Sequence, residues 1–443
     1  MAERYWVGGT ATWDGTALLK WALTSGGVGG QAVPTAADNV YFDAASGANT
    51  VTLSGARTCL NFSSAGFTGT LTSTGTITVS GSATFGAGGT YSNTGTWTFN
   101  ATSGTSNITT NAKSLSFSMT FNGVGGTWQL QDALTLGATN TVTLTNGSID
   151  LNGKNLTCGI LSSNNSNTRS ILFGAGQIYL TGSAATIIGI NAATGYTTSG
   201  TPIINCTYSG ATGTRTIRFG STGGPSESNV FSLNITAGTD ILSMSSSSYK
   251  TVNYTGFAGS IAAYDITLYG GLTVSSGMTL GAATSRFTFA ATSGNYNITT
   301  NAQTFDFPVT FNGIGGTWSF QDALTLGSTK TLTLSNGTVK FKNGTTNTAG
   351  IFAIAGTVSN QIVINSTTNG SKYTLSQASG TVNASYMTIK DSTATGGAGW
   401  DAFTTNGNID SGNNTGWVFD PVPSDVNIEF PITLQSFTQP RRF

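Results

Sequence analysis

Residues 99–147 and 289–337 of this chain are two copies of one segment, aligned without a gap. The first reads FNATSGTSNITTNAKSLSFSMTFNGVGGTWQLQDALTLGATNTVTLTNG. The second reads FAATSGNYNITTNAQTFDFPVTFNGIGGTWSFQDALTLGSTKTLTLSNG, about two-thirds identical at an offset of 190 residues. A gapless offset predicts that the intervening chain completes a whole number of some smaller unit.

Apolar alternation sets the size of that unit. Leu134 and Leu136, Val142 and Leu144, and Ile149 and Leu151 form pairs at period two, the mark of half-buried strands. Leu324 and Leu326, Leu332 and Leu334, and Val339 and Phe341 repeat the pattern at the same spacings in the second copy. Asn-Gly or Gly breaks the run every seven or eight residues, as tight corners between short walls would require. Three walls make a coil of about 20 to 22 residues, and upstream Ile77 and Val79 recur as Trp97 and Phe99 at a matching interval. The offset then corresponds to about nine coils. A sandwich or propeller needs antiparallel hairpins of more even length, about 8 to 12 residues per strand and turn, and edges blunted by Lys or Pro, neither of which is common here. The predicted fold is all-β, a parallel β-helix in which each strand stacks on its equivalent in the next coil.

Composition agrees with stacking. Charged residues are 8% of the chain, 17 basic and 17 acidic, while Gly numbers 60 and His is absent. Ladders of Thr, Ser and Asn share hydrogen bonds between coils, whereas ladders of one charge repel. Zero net charge removes the electrostatic footprint of a nucleic-acid binder. The lack of His excludes imidazole chemistry. Cys59, Cys158 and Cys206 are odd in number and far apart, which reads as buried apolar side chains rather than a disulfide framework. No apolar run is long enough to span a bilayer, so membrane insertion is not expected. The opening MAERYWVGG has no apolar signal core, so a secretory signal is not expected; either the sequence is trimmed or the chain leaves its cell without a secretion pathway, and lysis by a virus is one such route.

Residues 1–45 carry Trp6, Trp13, Trp21 and a helix-like TALLKWAL at 16–23, and are expected to cap the first coil. Residues 46–419 form the solenoid, some 18 coils and roughly 85 Å long at about 4.8 Å per layer. Residues 420–443 hold Pro421, Pro423, Pro431 and Pro440 and form an extended C-terminal attachment tail, with Phe430, Arg441, Arg442 and Phe443 as partner-binding candidates.

Several blocks resemble a known family. RYWVGGTATWDG with VPTAADNVYFDAA, ILFGAGQIYLTGS, TYSGATGTRTIRFGSTGG, and SYMTIKDSTATGGAGWDAF with NIDSGNNTGWVF look like building blocks of right-handed β-helix fibre and spike proteins of tailed bacteriophages, blocks also shared with bacterial surface adhesins. The resemblance covers most of the chain except the tail. It implies a right-handed β-helix and a structural virion protein, a fibre, tailspike or particle decoration for host attachment, trimeric and located on the virion. A capsid cement protein, a surface adhesin and a polysaccharide depolymerase are the alternatives. The family supplies no catalytic motif that falls on particular residues here.

Glycan cleavage needs two carboxyl groups about 5 to 9 Å apart. The candidates are Asp132, Asp150, Glu227, Asp240, Asp265, Asp306 and Asp322. Asp132 and Asp322 hold the same place in the two copies, which favours a corner-forming role. No cofactor is expected. Asn408, Asp410, Asn413 and Asn414 suit an Asn/Asp turn closing the last coil better than a calcium site. Gly26–Gly30 and Gly123–Gly126 read as turn glycines rather than phosphate cradles, since neither opens a helix. Trp128 and Trp318, with Tyr249, Tyr254, Tyr264 and Tyr269, are candidates for stacking on sugar rings, against a packing role in the coils.

Overall fold

The computed structural model describes residues 1–15, 19–211, 213–220, 226–244, 247–262, 265–280 and 286–420. The tail candidates Phe430, Arg441, Arg442 and Phe443, and also Tyr264, lie outside the described residues. Alternating side chains give short strands, and the strands stack in parallel into an all-β solenoid of about 16 turns. That is roughly 75 Å at about 4.8 Å per layer. One wall is a continuous stack of 14 strands from Ser114–Leu115 to Ile409–Asp410. A 19-stranded sheet covers two further walls, because strands Met119–Leu130 and Thr141–Asp150 run around a corner without a break. These two strands pair in parallel.

The inward residues form one apolar column from Trp6 to Trp417. Like side chains lie on like: Phe289 on Phe311 at 4.6 Å, Phe320 on Phe341 at 5.3 Å with their planes 1° apart. Complete burial of each such side chain contributes about 1.5 to 3 kcal/mol. Ile77 pairs with Trp97 and Val79 with Phe99, as the upstream recurrence predicts. Cys59, Cys158 and Cys206 are free and buried.

The copied segments depart from the expected whole number of coils. Along the 14-strand wall, Leu115 pairs with Leu136, and from Leu134 on that same strand the stack continues through Leu156, Ile178, Ile204, Leu233, Val252, Leu272 and Ile298. Ile298 is the counterpart of Ile108, not of Leu115. The counterpart of Leu115 is Phe305, which pairs with Leu326 in a different sheet. The second copy is therefore displaced by eight coils and one wall. Coil length explains the shift: the step is 19 residues from Leu233 to Val252 but 29 from Ile204 to Leu233. The long middle coils also reduce the count below the 18 expected. Each copy carries its own corners, and any wall that offers an apolar inside and a polar outside accepts it.

The N-terminal residues already belong to the stack. Glu3–Tyr5 pair in parallel with Asn39–Tyr41, and Ala11–Trp13 with Val51–Leu53. The expected helix is overturned at Trp21–Ala22, which is a strand antiparallel to Tyr5–Trp6; residues 16–18 lie outside the described residues. The strand covers the open edge of the first coil. It also brings Trp21 to 5.1 Å from both Trp6 and Trp13 and 5.9 Å from Phe42, an apolar lid that a solvated helix would not supply.

Corners need unusual backbone at equivalent places. Gly147 and Gly337 have φ of 77° and 81°. A Cβ on Gly337 would sit 2.5 Å from Gly313 O and 3.0 Å from Trp318 Cζ3, so both conformation and space demand glycine.

Candidate functional site

The outward faces carry the expected ladders. Asn61 Nδ2 donates to Asn39 Oδ1 at 2.8 Å, Asn146 Nδ2 to Asn122 Oδ1 at 2.7 Å, and Ser148 Oγ lies 2.6 Å from Ser170 Oγ. On the 14-strand wall Asn234 Nδ2 donates to Asn205 Oδ1 at 2.9 Å, and Asn205 Nδ2 to Gln177 Oε1 at 2.8 Å. Where charged residues are adjacent in register they are opposite, as in Asp265 beside Arg286 at 3.8 Å.

The carboxylates proposed from sequence are spread out and individually engaged. Asp132 Oδ1 accepts from Thr110 N at 2.8 Å and Thr110 Oγ1 at 3.0 Å; Asp322 does the same for Thr300 N at 2.9 Å, so both cap corners. Asp150 accepts from Gln129 Nε2 at 2.9 Å, and Asp306 faces Lys330 at 3.5 Å. Asp240 pairs with Arg215, both side chains being at most 1% exposed. Glu227 ties distant coils: Oε2 accepts from Thr292 N at 3.0 Å and Thr292 Oγ1 at 2.7 Å, and Oε1 from Lys250 Nζ at 3.1 Å. Burial pushes the Glu227 carboxyl up, but the Thr292 and Lys250 contacts outweigh it and hold the group below the usual carboxylate range.

The Asn/Asp cluster of the last coil is occupied by main-chain partners. Asn408 Oδ1 accepts from Met387 N at 3.0 Å, Asn414 Oδ1 from Ser392 N at 3.0 Å, and Asp410 Oδ1 from Gly412 N at 2.9 Å. Asn413 Nδ2 donates to Asp391 Oδ1 at 2.7 Å. Among the described residues no group of three His, Cys, Asp or Glu is gathered as a metal site would require, and no helix is long and apolar enough to cross a membrane. Trp128, Trp318, Tyr249 and Tyr254 are fully buried, so sugar stacking gives way to coil packing at these positions; Tyr269 is half-buried.

The surface that does gather functional groups was not singled out from sequence. Between Ala323 and Lys390 the chain has five lysines, Lys330, Lys340, Lys342, Lys372 and Lys390, and no acidic residue or arginine. Lys340 lies on the 14-strand wall, and Lys342 and Lys390 directly follow its strands Gly337–Phe341 and Met387–Ile389. Lys340 alternates with inward Val339 and Phe341, so it points outward, between Ser319 in one layer and Asn365 in the next. Lys390 follows one layer on, its N–H bonded to Ile364 O at 3.1 Å. Asn297, Ser319, Gln321, Lys340, Lys342, Asn343 and Thr367 line a shallow cleft of about 360 Å³. Gln321 Nε2 donates to Asn297 Oδ1 at 3.0 Å and stiffens its floor. Neutral layers separate the like charges, which makes the stack tolerable.

Two buried arginines were also missed. Arg169 donates to Ser163 Oγ at 2.6 Å and to the carbonyls of Asn167, Thr194 and Ser163 at 2.9, 2.8 and 3.0 Å, stitching adjacent coils. Burial lowers its affinity for the proton, partly offset by Tyr196. Compared with known proteins, the chain matches no family model, no curated protein and no solved structure.

Proposed function

We propose that this chain is a structural virion protein of a tailed bacteriophage. It acts as a rigid β-helical fibre, spike or particle decoration that presents polar walls to host-surface glycans. In this reading it works as a homotrimer, and residues 420–443 attach it to other virion proteins. The sequence blocks that resemble phage fibre and spike proteins support the particle assignment.

The observation that carries the mechanical part is the single apolar column that runs the length of the rod. A solenoid with a continuous core resists bending because each coil is held by its neighbours on every wall. The engaged carboxylates favour a binding role over glycan cleavage: the acids stabilise corners and coil contacts instead of facing each other across a cleft. The outward Thr, Ser, Asn and Gln side chains offer the donors and acceptors that sugar hydroxyls match.

Antibodies raised against the chain test the reading. They should label the exterior of purified particles and block adsorption to the host. Absence of the chain from purified particles overturns the assignment.

A further inference from the structure

We propose that the outward face of the 14-strand wall between Asn295 and Lys390 binds an acidic polysaccharide, a sugar chain carrying carboxylates or sulfates. The inference takes the glycan class from the attachment reading above and adds the charge and the place.

The ammonium groups are available. The ammonium groups of Lys340 and Lys342 make no hydrogen bond or ion pair among the described residues, and Lys390 Nζ donates to Asn369 Oδ1 alone, at 2.6 Å. The acids nearby in sequence are turned away or held. Asp322 follows Gln321 but caps Thr300 and Asn301. Asp391 follows Lys390 but is fully buried, accepting from Gly370 N at 2.9 Å and from Asn413. Asp410, beside Ile389 one layer beyond, accepts from Gly412 N and from Asn414 Nδ2 at 2.7 Å. Lys340 and Lys390, two layers apart, are about 10 Å from one another along the axis. A linear polymer lying along the wall can meet both, with Ser319, Asn365 and Thr367 left for its hydroxyls.

The fold does not require these lysines, and the first copy shows it. There Gln131 Nε2 donates to Asn107 Oδ1 at 2.9 Å, the same amide bond that Gln321 makes to Asn297 in the second copy. Yet the positions of Lys340 and Lys342 are taken by Asp150 and Asn152. One scaffold position thus carries a carboxylate in the first copy and an ammonium in the second. A nucleic acid fits less well: arginine is absent from 323–390, and the cleft offers no stacking ring, since Phe320 beneath it is 1% exposed.

The test uses the full chain immobilised on a sensor, with polygalacturonate and heparin as probes and neutral dextran as control. Both acidic probes should bind, dextran should not, and affinity should fall as salt shortens the screening length to about 8 Å and below. Lys340→Asp with Lys342→Asn, the residues of the first copy, should weaken binding about tenfold or more with the melting temperature unchanged. Lys340→Gln with Lys342→Gln keeps a methylene stem and a polar end without the charge and should lose affinity as well. Unchanged binding by these variants, equal binding of dextran, no binding of either acidic probe at low salt, or tighter binding of single-stranded DNA than of either probe overturns the inference. Acidic-glycan binding by a chain absent from particles would leave this inference standing and remove the attachment reading; particle labelling without acidic-glycan binding would do the reverse.

Discussion

Asp240→Asn removes one charge and almost no volume, at a place where the solenoid has enclosed an ion pair. Arg215 Nη2 donates to Asp240 Oδ1 at 2.8 Å and Arg215 Nε to Asp240 Oδ2, with the guanidinium 4.9 Å from the centre of the Tyr208 ring. The side chains are 1% and 0% exposed, so water cannot replace the lost carboxylate. An uncompensated guanidinium in such a site costs about 3 to 5 kcal/mol. Coils contact only their neighbours, so the loss should appear first in the strands that the pair joins, Thr214–Phe219 and Ile241–Ser243. About 4 kcal/mol corresponds to roughly a thousandfold faster amide exchange through local opening. Hydrogen exchange followed by mass spectrometry reads this directly, with peptides from 99–147 as the internal reference. The double variant Arg215→Met, Asp240→Leu buries no charge and should exchange at near the wild-type rate or slower. Unchanged protection in Asp240→Asn, or equal loss in the double variant, would show that the unpaired buried charge is not what opens these strands.

Three further outcomes are expected. Gly337→Ala meets both a left-handed backbone and Gly313 O at 2.5 Å, so it should lower stability by about 2 kcal/mol or more; a denaturant midpoint equal to wild type would contradict this. Because the Glu227 proton affinity is depressed in the fold, its link to Thr292 is fully present above the unfolded carboxylate pKa and is lost as pH falls through the lower folded value. Exchange around Thr292 should therefore rise on acidification in the wild type but not in Glu227→Gln. Burial pushes the Cys158 and Cys206 thiols up to about 12 and the Cys59 thiol higher, so all three should resist a thiol reagent at neutral pH until the coils open in denaturant. Rapid labelling of the native protein would contradict that.

Much of the fold was legible because the solenoid writes its walls as period-two pairs. Leu134 with Leu136 and Leu332 with Leu334 are strand residues as expected, and the outward ladders follow from their polar neighbours. Val142 with Leu144 and Ile149 were expected on separate strands. They share Thr141–Asp150, whose chain turns the corner at Gly147 without losing its ladder. The copied segments concealed the one-wall displacement because a gapless copy constrains only itself, while insertions in the middle coils change the count between copies. The buried arginines had a signal in their phase. Arg169 is in step with Ile171 and Phe173, and Arg215 with Ile217 and Phe219, so alternation places both inside. The cationic cleft was hidden by the neutral total, since the lysines of 323–390 are balanced by acids elsewhere in the chain.

Cryo-electron microscopy of the native assembly would locate the rod on or within its particle. If the proposed function holds, a straight rod about 75 Å long, at about 4.8 Å per layer, stands on the outside of a phage particle. Its residues 421–443 should lie against the particle and the wall bearing Lys340 and Lys390 should face solvent. A rod enclosed within the particle, or one whose 14-strand wall is covered by another subunit, would contradict it.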